Sequence, residues 1–298
     1  MKMKYAFALL LLTTACSLTA QIRYGFKTGL NFARFDGPSE TNDAGESLES
    51  FGNVTGFHIG ATFAYNFTDN FSLRGEVMYS KRGSKYTFDG QSYRIFQFSG
   101  GSTLTTGESR YLVNVNNSYI DIPVMGVARW GDFEISGGGY VGFLVGATGD
   151  GSLRYAGKSA PPLLYPVKNA ETGSEELVFN LNHNYRKDDV GEGDDAQKLL
   201  AEIGPRTIEM PKTLGAYFDH TEDKGSLYNT LDFGLVGGIS YYLSSSLYAG
   251  VRLQYGLADL TNNDADLSKA RTAEDGSLIF RDDKDKNFAI QVSVGFSF

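Results

Sequence analysis

His58, His183 and His220 are the chain's only histidines, and any acid–base or metal chemistry by imidazole must pass through them. None stands at ligand spacing from another histidine or from the single cysteine, Cys16. The segment Asp219-His220-Thr221-Glu222-Asp223 sets one imidazole among carboxylates, the residue types of an acid–His pair that activates a hydroxyl in a surface hydrolase or acyltransferase. The same composition is ordinary in an acidic loop, so no residue is assigned a catalytic role. Asp283-x-Asp285-x-Asn287 starts like a calcium loop, but Phe288 occupies the position of the turn glycine and no Glu follows at the twelfth position. Gly137-Gly138-Gly139-Tyr140-Val141-Gly142 satisfies a dinucleotide-binding pattern without a helix opening after it. Gly151 to Ser159 has one residue too many for a phosphate loop, and Pro161-Pro162 forbids the helix that loop requires. No cofactor and no metal is expected from these motifs.

The remaining charged candidates share a different pattern. Arg23, Lys27, Arg74, Glu76, Asp121, Arg129, Glu134, Asp232 and Arg252 each sit in a segment of two-residue alternation, on the parity opposite to the large apolar residues. Period two is the signature of a strand. One such segment sets Phe57, Ile59, Ala61, Phe63, Tyr65 and Phe67 against His58, Gly60, Thr62, Ala64 and Asn66. Equivalent segments cover 22–32, 71–80, 119–130, 133–145, 231–243, 247–255 and 288–298, giving eight strands.

The connections decide how these strands assemble. Thr68-Asp69-Asn70, Gly131-Asp132 and Ser244-Ser245-Ser246 are tight hairpin turns, whereas 34–53, 83–116, 148–228 and 259–286 are long, and short alternates strictly with long. The expected fold is all-β: an eight-stranded antiparallel transmembrane up-and-down β-barrel with long extracellular loops, short periplasmic turns and both termini periplasmic. The apolar parity faces lipid and the glycine-rich, charged parity fills a narrow lumen. A turn at Gly131-Asp132 puts Arg129 opposite Glu134 as a cross-strand ion pair.

Residues 1–20 read as a secretory leader, with Lys2 and Lys4 before an apolar run and a cleavage site after Ala20. Lipidation at Cys16 is the alternative; otherwise 21–298 is the mature barrel. A net charge of −8 argues against nucleic acid as a partner. The 148–228 insertion is too long for an idle connection and implies an external subdomain. Within it, 178–186 alternates like a strand, and Asp194-Asp195 is expected to cap a short helix through Leu199, Leu200 and Ile203, stopped by Gly204-Pro205. Tyr185, Tyr217 and Phe218 are its candidate ligand contacts, or else residues of its own small core.

Tyr24-Gly25-Phe26-Lys27-Thr28-Gly29-Leu30-Asn31, Tyr119-Ile120-Asp121-Ile122-Pro123, Gly139-Tyr140-Val141-Gly142 and the terminal Gly295-Phe296-Ser297-Phe298 resemble the strands of PorT-like, porin-family small outer-membrane barrels, which are related in architecture to OmpA-like barrels. The resemblance implies contact with outer-membrane lipid and lipopolysaccharide. It also implies recognition by the barrel-insertion machinery, for which the terminal Phe looks like the signal. These motifs identify barrel strands and not an activity; the first functional reading is a membrane anchor, binding or structural, whose extracellular loops engage a protein or glycan ligand, and the resemblance permits an accessory role in protein secretion. A small-solute channel is the alternative. A loop-borne hydrolase or acyltransferase using His183 and His220 is the third reading.

Overall fold

The computed structural model describes residues 22–298, so the expected leader and Cys16 lie outside the described residues. The fifteen strands are β1 (Ile22–Asp36), β2 (Glu49–Gly52), β3 (Val54–Asn66), β4 (Phe71–Phe98), β5 (Gly101–Trp130), β6 (Phe133–Ser159), β7 (Val167–Asn169), β8 (Leu177–Asn184), β9 (Gly193–Ile203), β10 (Arg206–Leu214), β11 (Leu231–Tyr242), β12 (Leu247–Gly256), β13 (Leu267–Thr272), β14 (Leu278–Phe280) and β15 (Lys286–Ser297). Eight of them, β1, β3, β4, β5, β6, β11, β12 and β15, pair antiparallel in that order. Pairing of β15 with β1 closes the ring, so the barrel has no free sheet edge.

Alternation puts large apolar side chains from all eight strands on the outside: Phe26, Phe63, Leu73, Val124, Phe143, Phe233, Leu253 and Val294 are each between 43% and 53% exposed. Such a belt would drive aggregation in water, and it suits a bilayer. Aromatic residues crowd the rim at the short turns, where Phe71 meets Trp130 edge-on at 6.4 Å and Phe133 meets Tyr241 at 5.0 Å. The turn between β5 and β6 has only two residues, and Gly131 takes the positive φ of 60° that it requires.

At the other end the structure corrects the expectation of loops. Segment 83–116 is strand on both sides of a turn at Ser99-Gly100: β4 and β5 run for 28 and 30 residues, and β6 for 27. A membrane needs only about 9–11 residues of tilted strand, so more than half of each hairpin stands beyond the barrel wall. There the sheet widens from β6 through β8, β10, β9 and β7, β2 joins β4, and β13 and β14 form a small separate hairpin. This head has its own core, built on Phe88, Tyr111, Leu153, Phe179, Leu199 and Ile208.

The strand expected at 178–186 is β8. The helix expected through Leu199, Leu200 and Ile203 does not form; those residues belong to β9, which pairs with β10 and with β7. Leu199, Ala201 and Ile203 point into the core at a spacing of two, and a partner strand supplies the hydrogen bonds that an isolated turn of helix would have made internally. Gly204-Pro205 makes a two-residue hairpin turn, with Gly204 at φ 60°, in place of a helix stop.

Candidate functional site

Two regions collect the chemistry-bearing side chains, the barrel lumen and a cavity in the head. In the lumen, four buried cations (Lys27, Arg74, Arg82, Arg252) meet four buried carboxylates (Glu76, Asp121, Glu134, Asp232). Glu76 on β4 accepts from Lys27 on β1 at 2.7 Å and from Arg252 on β12 at 2.7 Å, while Arg252 Nε donates to Gln291 on β15 at 2.7 Å. Arg74 makes a two-pronged contact with Glu134 at 2.7 and 2.6 Å. Arg82 donates to Asp121 at 2.9 and 3.0 Å and to Asp232 at 3.1 Å, with its guanidinium 4.1 Å above the Tyr119 ring. Tyr140 and Asn287 also donate to Asp232, each at 2.9 Å. His58 on β3 bridges Asn31 on β1 and Ser293 on β15. Every barrel strand therefore contributes a polar side chain across the axis. Gly142 leaves room for this layer, since a Cβ there would stand 2.5 Å from Asp121 Oδ1 and 3.2 Å from Arg82 Nη2. That explains the last glycine of the dinucleotide-like run.

Two of the residues expected in this network stand apart from it. Arg23 is exposed at the mouth on the short-turn side, where it lines the opening although its backbone pairs with Ala64. Arg129 does face Glu134 in the register, but makes no ion pair with it. Arg74 reaches Glu134 across the lumen, and Arg129 lies 3.6 Å over the Tyr242 ring while its Nε donates to the Gly131 carbonyl at 3.0 Å. The mouth opens into a polar vestibule of about 490 Å³. Above it, between Lys27, Arg74, Glu76 and Arg252, the free space narrows to about 20 Å³, room for roughly one water.

The head cavity measures about 320 Å³. Its walls are mainly apolar and aromatic, with Phe35, Phe51, Tyr86, Met210, Leu214 and Tyr228 among them. Tyr185, Tyr217 and Phe218 line it too; Tyr185 and Tyr217 are buried and Phe218 packs against the head core, so the three are interior wall residues and not an exposed contact patch. Polar groups enter at a few points. Buried Arg94 pairs with Asp219 at 2.9 Å and lies 5.1 Å from the Phe179 ring. His183 Nδ1 meets Tyr185 Oη at 2.9 Å, and burial pulls its pKa down to about 4. His220 Nε2 donates to the Ala265 carbonyl at 3.0 Å, leaving Nδ1 buried and without a partner; burial lowers this imidazole's pKa as well. The acid–His pair considered from the sequence is not assembled, because Asp219 is engaged by Arg94 and His220 by a backbone carbonyl.

The model of the outer membrane protein beta-barrel domain matches residues 17–262. The chain belongs to that family, and is a bacterial outer-membrane β-barrel protein. No curated protein sequence matches it. Among solved structures it is similar to Ail, the attachment invasion locus protein of Yersinia pestis, at 10% identity and TM-score 0.33, covering 93% of this chain and 99% of that one. OprG from Pseudomonas aeruginosa aligns at 9% identity and TM-score 0.29 over 93% and 95% of the two chains. Neisserial surface protein A aligns at 10% identity and TM-score 0.28 over 92% and 97%.

Sequence reasoning missed Arg82 and Arg94, and it set Asp219 beside His220 where the structure pairs it with Arg94. For Arg82 the signal was present: the inward parity of Arg74, Glu76 and Ser80 continues to it. Arg94 continues the same parity twelve residues further along the same strand. Asp219 carries no such periodicity and is placed by the fold alone.

Proposed function

We propose that this outer-membrane protein is a surface binding module, in which the barrel is a closed anchor and the extracellular head takes a small, largely apolar ligand bearing a polar group into its cavity. The cavity of about 320 Å³ carries this reading. Pockets of this size with apolar walls and a few converging polar groups are the usual form of small-molecule sites. Arg94, Asp219 and the free Nδ1 of His220 supply the polar groups. The packed lumen supports an anchor over a channel, since paired charges fill it and the space among Lys27, Arg74, Glu76 and Arg252 is about 20 Å³. The alternation of short turns and long segments supports placing the head outside the cell and the turns and termini in the periplasm.

A ligand-observed NMR fragment screen on the protein in lipid nanodiscs, run in parallel on Ala216→Trp, tests the reading. Ala216 lines the cavity, and an indole there fills much of it. Fragments that bind the wild type and not the filled variant are expected. A screen in which both proteins share every binder would sink the proposal.

A further inference from the structure

Three carboxylates that the sequence spreads over twenty residues meet at the outer end of the barrel: Asp266 just before β13, and Asp283 and Asp285 on the approach to β15. One oxygen from each lies within 4.8 Å of the other two. Asp266 and Asp285 are 7% and 5% exposed, and Oδ1 of Asp283 and Oδ1 of Asp285 are both buried without a hydrogen-bond partner. A buried carboxylate oxygen without a donor is costly, and both residues that carry one also contribute an oxygen to this cluster.

The surrounding charges do not supply that partner. Buried Glu49 is held by Arg281 Nη1 at 3.0 Å, and Arg281 Nη2 also bonds Asp283 Oδ2. Lys269 directs its Nζ over the Tyr86 ring at 5.2 Å. Glu40 and Asp259 lie at the rim, the first accepting from Ser268 and from the Lys269 N–H, the second from Thr261. Among the described residues, Arg281 and Lys269 are the cations that neighbour Glu49, Asp266, Asp283 and Asp285. Two negative charges stay uncompensated before the rim acids are counted.

We infer that Asp266, Asp283 and Asp285 bind one divalent hard cation of the calcium class. The donors are all oxygen, with no imidazole or thiolate in the cluster to favour a softer metal. Calcium holds its oxygens at about 2.3–2.6 Å, so oxygens up to about 5 Å apart can share one ion. A charge of two cancels the local excess. The site is discontinuous, which is why the contiguous Asp283-x-Asp285-x-Asn287 reading fails: Asn287 turns into the lumen and donates to Asp232 and to Tyr119. Ligands on either side of the β13–β14 hairpin would tie the 259–286 segment to the barrel mouth. Asp266 and Asp285 also line the head cavity, so the ion would stiffen its wall. In its absence, burial and the neighbouring carboxylates push Asp285 up to about 7, and burial pushes Asp266 up to about 6. This inference does not depend on the ligand reading above.

The test uses the full chain refolded into a defined nonionic detergent, free of lipopolysaccharide, stripped with EDTA and titrated with calcium chloride by calorimetry and thermal unfolding. One ion per chain and a rise of several degrees in unfolding temperature are expected. Asp285→Asn and Asp266→Asn should weaken binding at least tenfold while unfolding no earlier than wild type in EDTA, because an amide relieves the repulsion. Asp195→Asn, at an exposed acid, should keep the wild-type response. Absence of any calcium effect on the wild type, or a wild-type response in Asp285→Asn, overturns the inference. If the variants fail to fold, limited proteolysis of the wild type decides: calcium should protect 259–286, and identical cleavage with and without it counts against the site.

Discussion

Replacing Arg82 with methionine removes the most enclosed cation of the lumen while keeping much of its volume. Its side chain is 0% exposed, and it touches Asp121 and Asp232, themselves 3% and 4% exposed. The two carboxylates would not suffer equally. Asp232 keeps its hydrogen bonds from Tyr140 and Asn287, each at 2.9 Å, but both of the bonds that Asp121 accepts come from Arg82. The variant therefore orphans one buried carboxylate. Breaking a buried ion pair by removing one partner costs about 3–5 kcal/mol, mostly the penalty of the charge left behind. We expect Arg82→Met to fall in that range, not at twice it.

The same reasoning fixes the rescue. Asp121→Asn in the Arg82→Met background removes the stranded charge and should recover more than half of the loss, whereas Asp121→Asn alone leaves Arg82 paired with Asp232 and should cost about 1–2 kcal/mol. Urea unfolding in phospholipid vesicles measures all three. The single tryptophan, Trp130, sits 53% exposed on the lipid-facing rim and reports loss of the barrel by fluorescence. A loss below about 1 kcal/mol for Arg82→Met, or a double variant no more stable than the single one, would refute the claim that charge pairing holds the lumen together.

Three more outcomes follow from the geometry. Arg129→Ala should cost about 1–2 kcal/mol, the scale of a partly desolvated cation–π contact on the buried Tyr242 ring, whereas Arg74→Ala leaves the buried Glu134 charge with only the Tyr242 hydroxyl at 3.2 Å and should cost about 3–5 kcal/mol; equal losses in urea unfolding would restore the Arg129–Glu134 pair. His183 gives the head an acid-sensitive contribution. Its folded pKa of about 4 lies below the ordinary value of 6.5, so folding favours the neutral ring; the stabilisation is complete above pH 6.5 and is lost as the pH falls from 6.5 to 4. Partial exposure limits it to roughly 1–2 kcal/mol, and in EDTA His183→Gln should lose less stability than wild type between pH 7 and 4.5; parallel curves would refute it. Stable single-channel steps in planar bilayers should be absent for the wild type, and their appearance would overturn the closed lumen.

The barrel was legible because lipid imposes one rule on every strand: apolar side chains on one parity. That rule ended the third strand at Ser80 and opened the fourth at Tyr119, because beyond those points Thr, Ser, Asn and Gly dilute the pattern. The strands do not stop there; their inward parity continues while the apolar set moves from the outward parity to the inward one. On β5, Ile120, Ile122 and Val124 face outward within the barrel, whereas Tyr111, Val113 and Val115 face inward above it. Period two persists, but the dry side has changed from lipid to protein core, and a reading that expects apolar residues outside sees only a polar loop. The helix at 194–203 failed for a related reason. Leu199, Leu200 and Ile203 fit either period, and only the distant β10 decides between them. For Arg129 the register was right and the partner wrong, because adjacency along the sheet says nothing about which side chain reaches Glu134 across the axis.

The same switch of dry side shows how anchor and head are joined. On β4 the inward set runs from Arg74, Glu76 and Arg82 directly to Phe88 and Phe96 without a break in the strand. The charged layer around Arg82 and Tyr119 is thus the lid of the lumen, and Phe35, Val115 and Tyr228, which line the cavity, stand on its outer side. Asn287 bonds into that lid while Asp285, two residues earlier, belongs to the cavity wall. Three strands of 27 to 30 residues cross this boundary, and the pairing of β5 with β6 shifts register there between Ser118 and Tyr119. A cavity carried on rigid strands keeps its shape better than one carried on loops. On the binding reading, a ligand entering from outside meets a floor of paired charges that ties together β4, β5, β6, β11 and β15.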